Sequence, residues 1–228
     1  MSAQLAQPRE PLNRRRILEA ALALVDREGA GALSMRRLGR ELGVEAMSLY
    51  NHVSGRDAIL DGLSEVMVAR IGLPPAPARW EEALGRFMHG IREIAAVHPA
   101  AFQVVGMRPL NSPEALPQVE TLLKALRAGG FDPVAASQAY RLAASYARGF
   151  ALAEIRGFTL DAPGGRLRAA DVRADDLPTV ADLADSLSGF DRDAAFAYGV
   201  DTILAGIAAT RAASRTARRP RTARSAPA

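Results

Sequence analysis

Apolar residues recur at every third and fourth position through most of this chain, and that period admits helices and little else. Ile17, Ala20, Ala21, Leu24 and Val25 form one such stripe, and Leu84, Phe87, Met88, Ile91 and Ile94 form another. Helix formers dominate between them, and no alternation of β-branched and aromatic residues is long enough to propose a sheet. The fold expected is all-α. Breaks fall where turn chemistry sits, at Gly29 to Gly31, Gly43, Ser54-Gly55, Gly72 to Pro77, Pro109 to Pro117, Gly129-Gly130, Asp161 to Pro178 and Gly189. They cut the chain into roughly nine or ten helices. Leu73-Pro-Pro-Ala-Pro77 is stiff and unable to continue a helix, which makes it the sharpest corner or domain boundary.

The 228 residues include no cysteine, which excludes a disulfide scaffold, a cysteine-ligated zinc site and a cysteine nucleophile. With 49% apolar and 24% charged residues the composition is globular. No stretch approaches the ~18 consecutive apolar residues of a membrane span, and Met1 to Glu10 lacks a signal-peptide core, so a cytoplasmic protein without membrane partners is expected. The net charge of +4 is unevenly spread. Residues 1–72 hold 10 basic and 9 acidic groups, residues 73–210 hold 13 and 16, and residues 211–228 hold 6 and none. The tail, with Arg211, Arg215, Arg218, Arg219, Arg221 and Arg224, reads as a solvated disordered end; the functional alternative is a polyanion-binding arm.

The first seventy residues carry the informative punctuation. Asn13 is placed to cap a helix that runs to Glu28 and stops at Gly29. Ser34 can cap a short second helix through Leu42, and Gly43 can take the left-handed turn from which a third helix, Glu45 to His52, begins. Leu38, Leu42, Val44 and Leu49 can lock the crossing. Such a pair is a helix-turn-helix, and its second helix fits a major groove roughly 12 Å wide. The exposed face would present Glu45, Ala46, Met47, Ser48, Asn51 and His52, and Ser54 to Asp57 would form a capping box opening a fourth helix. On spacing alone a plain packing corner competes with this reading.

The residues themselves add more. Ile17 through Val25, Gly29, Leu33-Ser-Met-Arg-Arg-Leu38, Leu42-Gly-Val44, Ser48-Leu-Tyr-Asn-His-Val53 and Arg56-Asp-Ala-Ile-Leu60 resemble the DNA-binding domain of the tetracycline-repressor family of transcriptional regulators. By that resemblance Ser34, Ser48, Tyr50, His52 and Arg56 contact the DNA backbone, while Arg36, Ala46, Met47 and Asn51 face base edges. The chemistry agrees with those roles: the Arg36 fork matches guanine O6 and N7, and Ala46 and Met47 offer only apolar contact, for instance to a thymine methyl.

Farther on, Trp80 to Leu84, Phe87, Arg92, His98-Pro99, Leu122 to Leu126, Gly129 to Phe131 and Tyr140 to Gly149 resemble, more loosely, the C-terminal domain of the same family's tetracycline branch. The resemblance implies a small effector held among helices, with Phe87, Ile91, Phe102, Met107, Arg108, Gln138, Tyr146 and Phe150 as candidates. It also implies a homodimer made through helices near 134–157 and 190–210. A stripe of small residues, Ala136, Ala143, Ala147 and Ala151, and the apolar series Phe196, Val200, Ile203, Leu204 and Ile207 suggest where helices would pair. The two positions at which histidines hold a magnesium–tetracycline chelate in that branch correspond to Gly72 and Val104, so the effector expected is mainly apolar and no metal or cofactor is implied. His98 before Pro99 reads as structural, and Asp171, Asp175, Asp176, Asp182 and Asp185 lack the ligand spacing of a calcium loop.

The organisation expected is a flexible arm over 1–12, a helix-turn-helix domain with its connecting helix over 13–71, a helical effector-binding and dimerisation domain over 72–210, and an Arg-rich tail over 211–228. The function expected is a ligand-responsive repressor. The alternative is a DNA-binding or architectural protein without effector response. An enzyme is not expected, because three scattered histidines, no cysteine, no Gly-x-Ser-x-Gly elbow and no phosphate loop leave no catalytic constellation.

Overall fold

In a computed structural model, which describes residues 11–74, 79–108, 116–158 and 171–217, the Asn13 side chain accepts a hydrogen bond from the Arg16 amide at 2.8 Å and so starts helix α1, Arg14–Glu28. Gly29 ends it at φ 81°, a left-handed value that costs glycine nothing. A single 3-10 turn, Ala30–Ala32, leads to α2, Met35–Leu42, capped by the Ser34 hydroxyl on the Arg37 amide. Then follow α3 (Ala46–Leu49), α4 (Arg56–Ala69), α5 (Trp80–Val97), α6 (Pro99–Val105), α7 (Leu116–Ala128), α8 (Pro133–Arg156), α9 (Pro178–Asp182), α10 (Ala184–Ser188) and α11 (Arg192–Ala217). Among the described residues every regular element is helical.

The chain folds as two units. The first comprises residues 1–70 and 98–116, and the second residues 71–97 and 117–228. The division therefore differs from a single cut after residue 71, because α6 belongs with the N-terminal helices. One reason is His98, which begins α6: its Nδ1 lies 2.6 Å from Asp26 Oδ2 on α1 and its Nε2 lies 3.0 Å from Arg70 Nη1 at the end of α4. A neutral ring donating from Nδ1 and accepting at Nε2 satisfies both partners. The buried Ser64 hydroxyl adds a second tie, donating to the Val105 carbonyl at 3.0 Å.

Ile17, Leu18, Leu22, Leu24, Leu38, Leu49, Ile59 and Leu63 fill the core of the first unit. α1 and α4 approach closely at Gly62, where an added Cβ would come within 2.4 Å of the Leu18 side chain. The buried Glu65 carboxylate is met at 2.8 Å by Arg14, so the charge is paired rather than stranded.

In the second unit α8 lies along α5, with α11 beside both. Ala136, Ala139, Ala143, Ala144, Ala147 and Ala151 all face inward, and their small size lets the helices pack closely. The small stripe expected to mediate pairing between chains is thus the chain's own core. Phe196, Val200 and Ile207 are likewise buried within the unit. A second correction concerns the tail: α11 continues to Ala217, and Arg211 stacks over Phe131 with its guanidinium 5.4 Å from the ring centre. Residues 218–228 and the arm over 1–10 lie outside the described residues.

Candidate functional site

The reading head is built by one turn. Gly43, at φ 68° and ψ 36°, donates to the Arg40 carbonyl, and Val44 donates to the Gly39 carbonyl at 2.9 Å, which closes α2 with the paired hydrogen bonds of a Schellman ending. That closure sends the chain straight into α3. The space between the two helices is set by Gly39, where an added Cβ would lie 2.9 Å from the Val44 carbonyl oxygen and 3.2 Å from the Ala46 amide nitrogen. Only a residue without a side chain fits.

Leu49 faces the core and leaves the other side of α3 to solvent. Met47 is 74% exposed and Tyr50 47%. Asn51 and His52 are also exposed, and Ala46 and Ser48 are half-buried. The regular helix is shorter than the expected Glu45 to His52: it ends at Leu49, and the amides of Tyr50 and His52 bond three residues back, to Met47 and Leu49. Tyr50 keeps helical backbone angles and the Val53 amide still bonds four residues back, to Leu49, so Tyr50 to His52 form a tightened turn at the end of the helix.

The arginines of this unit divide by partner. Arg27 and Arg37 are held by Glu28 and Glu41, with Arg37 to Glu28 at 2.7 Å and Arg37 to Glu41 at 2.9 Å. The Arg37 hydrogen bond keeps the Glu28 carboxyl below its ordinary pKa, and Glu28 in turn raises that of Arg37. This network clamps α1 to α2. Arg36 is exposed and makes no hydrogen bond or ion pair among the described residues, leaving its whole fork free. Arg56 is exposed too, but its Nε and one terminal nitrogen donate to the carbonyls of Leu33 and Ala30 at 3.0 Å each. It therefore braces the turn before α2 and keeps one terminal nitrogen for another acceptor. The expected capping box at Ser54 to Asp57 does not form; Gly55 is the N-cap and no side chain caps α4.

The effector candidates fall in different places. Phe102, Met107 and Arg108 belong to the first unit: Phe102 is buried, Met107 is 62% exposed, and Arg108 pairs with Asp61 and, at 3.6 Å, with Asp57. Phe87, Ile91, Gln138, Tyr146 and Phe150 belong to the second. There Phe87 and Ile91 are buried, and the Phe87 ring lies 5.8 Å from that of Tyr140. Tyr146 and Phe150 form an aromatic cluster with Phe196, at centroid distances of 5.5 and 5.1 Å. The Tyr146 hydroxyl donates to the Phe196 carbonyl at 3.0 Å, and burial raises its pKa. Gly199 makes room for that hydroxyl. Gln138 sits elsewhere, in a cavity of about 230 Å³ beside Phe131, Leu142, Ile207 and Arg211.

Two residues that were not among the effector candidates stand out here. Arg92 lies over the rings of Phe150 and Phe196, at 5.7 and 5.0 Å, and is ion-paired to Glu154 and Asp193, which raise its pKa. Arg148, half-buried on α8, has no acid beside it among the described residues, and burial lowers its pKa. Nothing in their spacing distinguishes them, since both read as helix-surface cations.

The family model for bacterial regulatory proteins of the tetR type matches residues 17–63, and that for the tetracycline-repressor-like C-terminal domain matches residues 73–211. The chain belongs to the tetR family. An HTH-type transcriptional regulator of Saccharopolyspora erythraea is 34% identical over 203 residues, 87% of this chain and 86% of that one. The class A tetracycline repressor from transposon 1721 of Escherichia coli is 29% identical over 212 residues, 90% of this chain and 94% of its own. Among solved structures, ActR of Streptomyces coelicolor in complex with actinorhodin shares 29% identity and a TM-score of 0.74, covering 89% of this chain and 99% of ActR. This tetR-family member is a ligand-responsive DNA-binding repressor. Its relatives are transcriptional regulators, and no described helix is long and apolar enough to cross a membrane.

Proposed function

We propose that this regulator acts as a cytoplasmic homodimer reading a two-fold operator, and that a small, mainly apolar effector in its second unit releases it. The observation that carries the reading is the α2–α3 corner, whose outer side gathers Arg36, Met47, Tyr50, Asn51 and His52 in exposed positions. Arg36, Ala46, Met47 and Asn51 meet base edges; Ser34, Ser48, Tyr50, His52 and the remaining nitrogen of Arg56 meet phosphates. Pairing uses the outward faces of α8 and α11, where Val134, Leu142 and Tyr198 stand exposed beside Ala194, Ala197 and Ala205. Such a combination of small residues and uncovered apolar groups suits helix-on-helix packing. Phe87, Ile91, Tyr146 and Phe150 supply apolar wall for the effector.

Two measurements test this. Half-sites centred about one helical turn apart are expected. Scrambling one half-site of an operator selected from random DNA should remove most affinity in a gel shift, and undiminished binding would defeat the dimer. Separately, Arg36→Ala should relax preference at one base pair at a cost of about 1–3 kcal/mol, whereas Tyr50→Ala should weaken all sequences alike. If both variants shift sequence preference equally, the sorting into base and phosphate contacts is wrong.

A further inference from the structure

Along one flank of α8, Tyr140, Ala144, Arg148 and Ala151 follow one another at turns of the helix. Ala144 and Ala151 are buried, so this flank faces inward, and the Phe87 ring of α5 closes against Tyr140. Neither the Tyr140 hydroxyl nor the Arg148 guanidinium has a hydrogen-bond or ion-pair partner among the described residues, although each side chain is half-buried. The two are near enough to interact electrostatically. Arg92, on α5 in the same unit, shows what this protein does with a half-buried arginine that only holds the fold: two carboxylates and two aromatic faces surround it. Arg148 has nothing comparable. A guanidinium held partly out of water without a counter-charge is less favourable than a paired one unless something else supplies the anion.

We propose that Arg148, assisted by the Tyr140 hydroxyl, anchors a single oxyanion carried by the effector on an otherwise apolar or aromatic body. The inference rests on the ligand-responsive reading and narrows it: the effector class is an amphipathic aromatic acid, such as an aryl carboxylate, an aryl sulfonate or an ionised phenol. The planar guanidinium fork suits a delocalised oxyanion, and Tyr140 contributes a third donor on the same flank. Phe87 and Ile91 supply the apolar contact for the body.

The test compares 8-anilinonaphthalene-1-sulfonate with N-phenyl-1-naphthylamine, which has the same ring body without the sulfonate, by fluorescence titration of the full chain. The wild type should bind the sulfonate more tightly than the amine. Arg148→Met should weaken the sulfonate about tenfold and remove its advantage over the amine, Arg148→Lys should restore part of it, and Tyr140→Phe should cost a smaller factor. Thermal melting gives an independent reading: the ligand-free Arg148→Met variant should melt at or above the wild-type temperature, because an uncompensated charge has been removed. Sulfonate affinity unchanged by Arg148→Met, no sulfonate binding at all, or a lowered melting temperature would each overturn the proposal. Loss of dimerisation in Arg148→Met, seen by sedimentation, would also overturn it by assigning the arginine to a carboxylate of the second copy. Operator binding by the unliganded wild type is measured alongside. Its absence would sink the repressor reading itself, whereas intact operator binding with a failed sulfonate response sinks only the anion site.

Discussion

Gly39→Val is expected to abolish specific operator binding while leaving most of the chain folded. A side chain at this position meets backbone, the Val44 carbonyl at 2.9 Å and the Ala46 amide nitrogen at 3.2 Å, so it has no rotamer by which to escape. α3 must move away from α2, and Met47, Tyr50 and Asn51 move with it. The overpacking itself costs about 1–3 kcal/mol of stability. The effect on DNA is larger, because each well-formed base contact contributes about 1–3 kcal/mol of discrimination and several are displaced together, so specific affinity should fall on the order of a hundredfold or more. Gly31→Ala is the matched control: its added Cβ meets nothing within 4 Å, and both operator affinity and melting temperature should stay near wild type. A Gly39→Val protein that binds the operator normally would mean that the α2–α3 spacing does not set recognition.

The second large effect is expected at Phe196. This ring is completely buried, stacks on Tyr146, meets Phe150 and His89 edge-on at 5.1 Å each, and lies 5.0 Å from the Arg92 guanidinium. Phe196→Ala removes the hub of that cluster and should cost about 3–5 kcal/mol, with further loss from the aromatic pairs. For a chain of this length that corresponds to a fall of roughly 10 °C in melting temperature. Phe196→Leu preserves most of the volume and should cost less than half as much. Melting followed by far-ultraviolet circular dichroism decides the matter, and a loss below about 1 kcal/mol would show that the cluster relaxes around the void.

Helix positions, and much of the chemistry that starts and stops them, were legible in the chain because they depend on near neighbours, although the cap of α4 and the end of α3 were not. Asn13 caps α1, Ser34 caps α2, and Gly29 and Gly43 take the left-handed turns that end those helices, each through contacts reaching no more than five residues along the chain. The helix-turn-helix motif follows from that local grammar, and so does the family resemblance. What the tertiary structure alone decided is which face of each helix turns inward and which charges are already matched. The alanine stripe of α8 read as a surface for a partner chain and is instead covered by the chain's own helices, since periodicity records that a helix has an apolar side but not what covers it. Arg36, Arg37, Arg92 and Arg148 are indistinguishable as letters. Arg37 and Arg92 are held by carboxylates brought from other helices, whereas Arg36 and Arg148 have none among the described residues, and that difference arises only when distant segments are folded against one another.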